Sequence, residues 1–205
     1  MKKIFTLLFA LIISSSLTRA QQGNFLVGAM SDIGDQPIIY WGLTPTVGYF
    51  ITDNICFGTG FKSASMTEDI MDPWMGTGEI LGEYSADSLI LNPFARYYMN
   101  DFFVHGGLNI VTGKSESNYN NNNLISYQKI ESKTSTYGIM IAAGYSLKWG
   151  KHFVFEPMIG LRTSTGTQKT KTTDFQSVVT ENEYNLPSTT DIGVSLGISF
   201  ILGNN

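Results

Sequence analysis

The spacing of the connectors between strand-like segments is the feature that most constrains this chain. Downstream of residue 38, tight turns of two to four residues alternate with loops of roughly fifteen to twenty residues. We predict tight turns at 51–54, 100–101 and 149–152, and long loops at 66–84, 115–131 and 165–187. The segments between them alternate apolar residues with small or polar ones. Short turns on one side, long loops on the other and long alternating strands are typical of outer-membrane β-barrels.

Eight strands follow from this pattern. They are predicted at 24–31, 38–50, 55–65, 85–99, 102–114, 132–148, 153–164 and 188–202. An even number of strands places both termini on the same, periplasmic side, with the long loops outside the cell. The predicted fold is all-β, an eight-stranded antiparallel up-and-down transmembrane β-barrel.

A soluble β-sandwich is the alternative, because its strands also have one apolar face. The predicted strands are longer than is usual in globular proteins and long enough to cross a bilayer at a tilt. Aromatic residues flank every tight turn, which indicates an interfacial girdle; we assign to it Tyr49, Phe50, Phe57, Tyr97, Tyr98, Phe102, Phe103, Tyr145, Trp149 and Phe153. Pro45, Pro93 and Pro157 fit poorly inside strands because a proline has no N–H to donate, so bulges or bends are expected there.

The N-terminus has the features of a secretory signal. Met1 to Lys3 is basic, Ile4 to Ile13 is apolar, and small residues lead to a cleavage position after Ala20. Ten apolar residues are too few to span a bilayer as a helix. We therefore predict that residues 1–20 are a cleaved signal peptide and that residues 21–205 form the barrel domain.

Net charge argues against one class of partner. The predicted signal contains Lys2, Lys3 and Arg19, so ten of the 13 basic residues remain in the mature chain against all 17 acidic ones, a net charge of about −7. Nucleic acid needs a basic surface and is excluded as a partner. The one cysteine, Cys56, cannot form an internal disulfide.

Three stretches then indicate a family. The segments GYFITDNICFGTGF, NPFARYYMNDFFVHGGL and YSLKWGKHFVFEPMIGL resemble hairpins of small outer-membrane barrels of the OmpX/OmpA type, in particular the Bacteroidetes-like outer-membrane β-barrel domain. The resemblance covers essentially the whole mature chain. It implies a C-terminal signal for the barrel-assembly machinery, matched by Ser195, Gly197, Phe200 and Leu202, although the family often ends on the aromatic residue.

Ionisable residues on the predicted inner face are the candidate site. By strand parity they are Arg96, His105, Lys148, Glu156 and Arg162. Charges at membrane depth suggest function, but the interior of an eight-stranded barrel is just wide enough to be filled by side chains. Two interpretations remain open, a structural network and an ion or solute pathway. Glu156 is the one acid predicted in mid-lumen, so Arg96 or Arg162 is its expected partner.

Enzymatic chemistry is not expected. The two histidines, His105 and His152, both lie near the periplasmic end, away from outer-leaflet substrates. No metal site or cofactor is predicted, since the acidic residues at 66–87 have no cation-loop spacing. The asparagine run at 118–123 is expected to be mobile.

The predicted function is therefore non-enzymatic. We expect a structural or surface-interaction role through the extracellular loops, with a narrow porin-like channel for ions or small solutes as the alternative. Expected partners are outer-membrane lipids and lipopolysaccharide, the assembly machinery and an extracellular ligand contacted by the loops. The predicted location is the cell outer membrane.

Overall fold

The chain folds into a single antiparallel sheet. The computed structural model describes residues 22–33, 43–71, 80–121, 126–150, 152–174, 176 and 178–203. The strands are β1 (Phe25–Ile33), β2 (Thr44–Phe50), β3 (Ile55–Met71), β4 (Ile80–Met99), β5 (Phe102–Asn121), β6 (Ser126–Tyr145), β7 (Leu147–Trp149), β8 (Phe153–Thr173) and β9 (Val179–Leu202). None of the described residues belongs to a helix long and apolar enough to span a membrane. The predicted signal peptide lies outside the described residues.

The sheet closes on itself. Strands β1 to β6 pair in sequence, β1 also pairs with β9, β9 with β8, and β8 with β6, which gives a ring of eight strands. The three-residue β7 continues β6 beyond Ser146 and pairs with β8 as well. Contact between β1 and β9 runs from Phe25↔Leu202 to Ile33↔Val194. The predicted eight-stranded antiparallel barrel is confirmed, and the tight turns lie where the sequence predicts them.

Each proline inside a strand lies where pairing on one side is interrupted. Pro45 pairs with Ala29 of β1, but the pairing of β2 with β3 includes β2 only from Thr46 onward. Where no partner strand lies on one side of a proline, no backbone hydrogen bond is lost through its missing N–H.

Pro157 and Pro93 interrupt a ladder without shifting its register. The β6–β8 pairing stops at Gly144↔Met158 and resumes as β7–β8 at Leu147↔Phe155, with two residues skipped on each strand. Pairing on the other side of Pro157, with β9, is continuous. Pro93 behaves in the same way, since β4 pairs continuously with β3 but skips two residues opposite β5. Of the predicted bulges or bends, no bulge occurs at Pro93 or Pro157, where the ladder has a local gap in constant register.

The distribution of apolar residues is inverted relative to a soluble protein. Large apolar side chains on the outer face are exposed, as at Ile141, which is 64% exposed, and Ile192, which is 71% exposed. The inner face holds the core: Leu26, Phe50, Cys56, Phe94, Tyr98, Phe103, Ala142 and Met158. On β6 the outer apolar residues run from Tyr137 to Tyr145, roughly 27 Å along the strand. In this apolar band, Tyr137 to Tyr145 is a stretch of nine residues, which matches the roughly nine to eleven that a tilted strand needs to cross a bilayer.

The predicted aromatic girdle is correct except at three of its ten residues. Tyr49, Tyr97, Tyr145 and Trp149 face outward and are exposed near the periplasmic turns. Phe50, Tyr98 and Phe103 instead point into the lumen and are buried. Around the first two tight turns the aromatic residues come in adjacent pairs, and the alternation of a strand sends one of each pair inward.

The predicted long loops are wrong over most of their length. Strands β3, β5 and β8 run on to residues 71, 121 and 173, and β4, β6 and β9 begin at residues 80, 126 and 179. The part of the asparagine run from 118 to 121 belongs to β5 instead of a mobile loop. These extensions lack the apolar alternation that marks a membrane strand. Cross-strand ion pairs such as Lys129–Glu116 at 3.0 Å and Lys169–Glu183 at 3.2 Å occur along them instead.

We predict that an outward charge is costly only within the apolar band. Ile141→Arg, in the middle of the band, should lower the free energy of unfolding in lipid vesicles by about 2–4 kcal/mol. The control Thr112→Arg changes an exposed outward residue of β5 beyond the band and should cost about 1 kcal/mol or less. Equal stability of the two variants would contradict the assignment of the outer face to lipid.

Candidate functional site in the barrel lumen

Strand register brings a buried charge cluster together near the periplasmic end of the lumen. Arg96 of β4 lies directly opposite His105 of β5. Glu156 enters from β8, on the same inner face as Val154 and Met158, which are buried on either side of it. All three charged or polar residues are almost fully buried, so each must find its partners within the lumen.

The centre of the cluster is an ion pair. Arg96 Nη1 lies 2.6 Å from Glu156 Oε2, and each side chain is only 1% exposed. Glu156 also accepts hydrogen bonds from the hydroxyls of Tyr98 at 3.1 Å and Ser146 at 3.0 Å, with Ser199 Oγ at 3.5 Å. Both oxygens of the carboxylate are therefore engaged, which is the condition for a buried charge to be tolerated.

The guanidinium group of Arg96 is equally well surrounded. Its Nε donates to His105 Nδ1 at 3.2 Å, and Nη2 lies 2.9 Å from the sulfur of Met30. The rings of Phe94 and Phe103 lie 4.9 and 5.0 Å from the guanidinium carbon, close enough for cation–π attraction. Since His105 accepts on Nδ1, its ring is held as the neutral tautomer with the proton on Nε2.

Aromatic packing closes the lumen around the ion pair. Tyr98 contacts Phe50 and Phe103 with ring centroids 5.4 and 5.3 Å apart, and His105 stacks on Phe94 at 5.3 Å. Phe50 and Phe103 have no exposed surface. We call the Arg96–Glu156 pair and the side chains packed around it the lumenal plug.

A small cavity lies on the extracellular side of the lumenal plug. Its volume is about 30 Å³, and its lining includes His105, Asn92, Asn109 and Arg162. The side-chain oxygens of Asn92 and Asn109 are buried and have no hydrogen-bond partner among the described residues. The volume suits one or two water molecules, which these oxygens would bind.

Two of the five predicted lumenal residues lie outside the cluster. Lys148 is at the periplasmic rim, where it pairs with Asp101 at 2.9 Å. Arg162 pairs with Asp191 on the neighbouring strand at 2.9 Å. Arg162 is six residues from Glu156 on β8, roughly 20 Å along the strand, which puts it out of reach. The alternation of side chains along a strand predicts correctly which residues face inward. It does not predict how far along the barrel axis each of them lies.

Sequence reasoning misses several residues of the plug. It assigns Tyr98 to the girdle, although Tyr98 shares the inward parity of Arg96. Ser199 shares the parity of Ser195 on β9, and both are buried in the lumen. Alternation along β6 places Ser146 on the inner face with Ala142 and Gly144, but it does not predict the hydrogen bond from Ser146 to Glu156.

The residues of the predicted assembly signal lie on both faces of β9. Ser195 is buried, and a Cβ on Gly197 would lie 3.3 Å from Glu156 Cβ. Phe200 faces outward with its ring edge-on to Phe153 at 5.4 Å, and Leu202 is the last residue paired with β1. The absence of a side chain at Gly197 thus leaves space for the carboxylate of Glu156. This holds independently of any role of Gly197 in assembly.

No metal-binding cluster of His, Cys, Asp or Glu occurs within the part of the chain that the structure describes. Cys56 is buried in the core without a disulfide partner.

A closed ring of strands with an outer apolar band and a packed polar lumen is the architecture of an outer-membrane barrel. The family model of the autotransporter beta-domain matches residues 19–204. The chain belongs to the autotransporter β-domain family. As a member of this family, the protein is located in the outer membrane. No curated protein sequence matches the chain.

Similar solved structures are outer-membrane proteins with low identity to this β-domain. AlkL, determined by solid-state NMR in DMPC bilayers, is 13% identical with a TM-score of 0.49, and the alignment covers 91% of this chain and 93% of AlkL. A major outer-membrane protein of Thermus thermophilus is 14% identical, with a TM-score of 0.38 and coverages of 86% and 98%. CarO2 of Acinetobacter baumannii is 11% identical, with a TM-score of 0.37 and coverages of 89% and 100%. Similarity at this level carries no argument about the activity of this chain.

We predict that the two inner ion pairs of the β-domain contribute very differently to stability. Glu156→Gln leaves the buried guanidinium of Arg96 without a counter-charge and should lower the free energy of unfolding in lipid vesicles by about 3–5 kcal/mol. The matched control Asp191→Asn breaks the partly exposed pair with Arg162 and should cost about 1 kcal/mol or less. Similar losses for both variants would show that the plug is hydrated.

Proposed function

We propose that this β-domain is a non-enzymatic outer-membrane protein that interacts with partners outside the cell through its extended hairpins. The observation that carries the proposal is the continuation of the sheet beyond the apolar band. On β5, about ten residues follow Ile110 before the end of the strand, which corresponds to roughly 33 Å. A paired sheet of this length presents polar side chains in fixed positions, as a recognition surface requires.

The hairpins differ in character, which supports a role in recognition. The β3–β4 hairpin contains Glu68, Asp69, Glu83 and Asp87 with no basic residue beyond Lys62 among its described residues. The β8–β9 hairpin instead alternates Lys169 and Lys171 with threonines and faces acidic residues on β9. Because these side chains are held by backbone pairing, a partner binds them without the entropic cost of ordering a loop.

The packing of the lumen weighs against the channel. Arg96, Glu156, Phe50 and Phe103 are at most 2% exposed, so water does not reach the level of the plug. A conducting pore requires a continuous path along which water or polar protein groups surround the passing ion. The plug is therefore best understood as a core that stabilises the barrel.

The finer features of the proposal come from the sequence analysis. We infer an OmpX/OmpA-type barrel, supported by its ring of eight strands, that is exported by the signal at residues 1–20. Recognition of Ser195, Gly197, Phe200 and Leu202 by the assembly machinery is part of the same proposal. The engagement of His105 by Arg96 supports the absence of a catalytic role.

We predict that the purified protein does not conduct. In planar bilayers, the wild type should give no single-channel steps, because the plug fills the lumen. Phe103→Ala, which removes a buried ring from the plug, should introduce conductance steps or transient openings. Steady conductance of the wild type, altered in ion selectivity by Glu156→Gln, would support the channel instead.

The interaction role is tested in intact cells by photo-crosslinking. A benzophenone amino acid is placed at one outward position well beyond the apolar band in each of the three hairpins, Asp69 of β3, Asn118 of β5 and Lys171 of β8. The control position is the lipid-facing Ile141. A surface-interaction role predicts discrete protein adducts from the hairpin positions and none from Ile141. The absence of any adduct from positions along all three hairpins would contradict it.

A further inference from the structure

A row of three lysines crosses the outer face of the barrel wall. Lys114 of β5 lies opposite Lys133 of β6, and Lys133 lies opposite Lys169 of β8. All three side chains are exposed. Neighbouring strands are only about 4.8 Å apart, and like charges directly opposite one another destabilise a sheet. The lysine row therefore requires a counter-charge.

The protein supplies that counter-charge only in part. Lys169 pairs with Glu183 of β9 at 3.2 Å. Lys114 and Lys133 form no ion pair with any residue that the structure describes. Asp87 lies in register beside Lys114 without closing to ion-pair distance. Two adjacent ammonium groups are thus left to an external anion.

The acidic residues one row further from the membrane are already engaged. Glu116 and Glu131 lie opposite each other, and Lys129 bridges them at 3.0 and 3.3 Å. Hydrogen bonds from Asn118 and Lys129 hold the pKa of Glu116 below its usual range. Lys129 is thus shared between these two carboxylates, and neither carboxylate lies within ion-pair distance of Lys114 or Lys133.

The lysine row lies just above the apolar band. Lys114 is four residues beyond Ile110, and Lys133 is four residues before Tyr137, which are the last apolar outward residues on their strands. Four residues correspond to roughly 13 Å along a strand, less along the membrane normal, and a lysine side chain reaches back toward the membrane. The ammonium groups therefore lie at the level of the lipid head groups.

An apolar groove lies directly below the lysine row on the same three strands. It has a volume of about 320 Å³ and opens toward the lipid. Its outward lining consists of Leu108, Ile110, Tyr137, Ile139, Thr163 and Thr165. Gly138 contributes no side chain to its floor, and a bulge between Ser164 and Gly166 deforms the neighbouring wall. The groove is therefore a mostly apolar recess in the outer wall of the barrel.

We propose that the lysine row and the groove form one binding site for a phosphorylated glycolipid of the outer leaflet, the lipopolysaccharide of this membrane. Its phosphate groups bind Lys114 and Lys133 through charge-assisted hydrogen bonds, and one acyl chain lies in the groove. Such a lipid has anionic phosphate groups above its acyl chains. The protein has the lysine row above the apolar groove, so the two arrangements match. The site does not depend on the surface-interaction role, because it lies on the lipid-facing wall.

The test measures lipid binding to the full mature chain folded in detergent micelles. Fluorescent bisphosphorylated lipid A is titrated against the wild type, the double variant Lys114→Gln/Lys133→Gln, and the charge-matched control Lys148→Gln/Lys171→Gln. A fourth variant, Thr163→Phe, fills the groove with an apolar ring. Dephosphorylated lipid A and inorganic phosphate are tested as competitors, to distinguish a lipid site from a site for free phosphate.

The proposal predicts that the dissociation constant rises about tenfold or more for Lys114→Gln/Lys133→Gln and less than twofold for the control. Thr163→Phe should weaken binding several-fold, and neither competitor should displace the lipid at equal concentration. An unchanged affinity of Lys114→Gln/Lys133→Gln, or an equal loss in the control, would overturn the proposal. If inorganic phosphate displaced the lipid, the site would be a simple anion site and the proposal would be wrong. If dephosphorylated lipid A displaced it, binding would depend on the apolar groove without the lysine row, and the proposal would also be wrong.

Discussion

The fold depends on one constraint, that no backbone N–H or C=O within the bilayer is left without a partner. In hydrocarbon each unpaired group costs several kcal/mol, so a sheet must close on itself. The β1–β9 pairing provides that closure over nine residue pairs. The same constraint explains Pro45, Pro93 and Pro157, because each lies where a ladder is interrupted on one side while pairing on the other side is kept. Next to one such interruption, Ser146 donates its N–H to the backbone carbonyl of Asp101, which continues the register of the β5–β6 ladder.

Closure of a small ring creates a second requirement inside it. A lumen too narrow for bulk water must be filled, and charges placed there must neutralise one another. Arg96 and Glu156 meet that requirement with help from Tyr98, Ser146 and His105. A buried ion pair does not by itself guarantee high stability. It connects β4 to β8 across the lumen, between two strands that are not neighbours in the sheet.

The sequence is sufficient to predict features that follow from strand periodicity. Alternation predicts the class, the number of strands and the tight turns, and strand parity puts Arg96, His105 and Glu156 on the inner face. Strand parity does not predict the position of a residue along the barrel axis. It therefore groups Lys148 and Arg162 with the Arg96–Glu156 pair, which they do not contact.

The extracellular region escapes sequence reasoning for a different reason. Residues 115–131 are rich in Ser, Asn and charged residues, a composition that usually indicates a loop. The structure pairs most of them, since the antiparallel pairing of β5 with β6 continues beyond the apolar band without a change of register. The lysine row also becomes visible only with the register, since Lys114, Lys133 and Lys169 are far apart in sequence.

The central claim is that the lumen at the level of Arg96 is dry and closed. The most direct measurement is exchange of the guanidinium protons of Arg96 with water, followed by NMR on the protein in lipid bilayers. The account predicts slow exchange for Arg96 and fast exchange for Arg162, which lies on the more open extracellular side. Exchange of Arg96 as fast as that of Arg162 would show that water reaches the plug and would contradict the account.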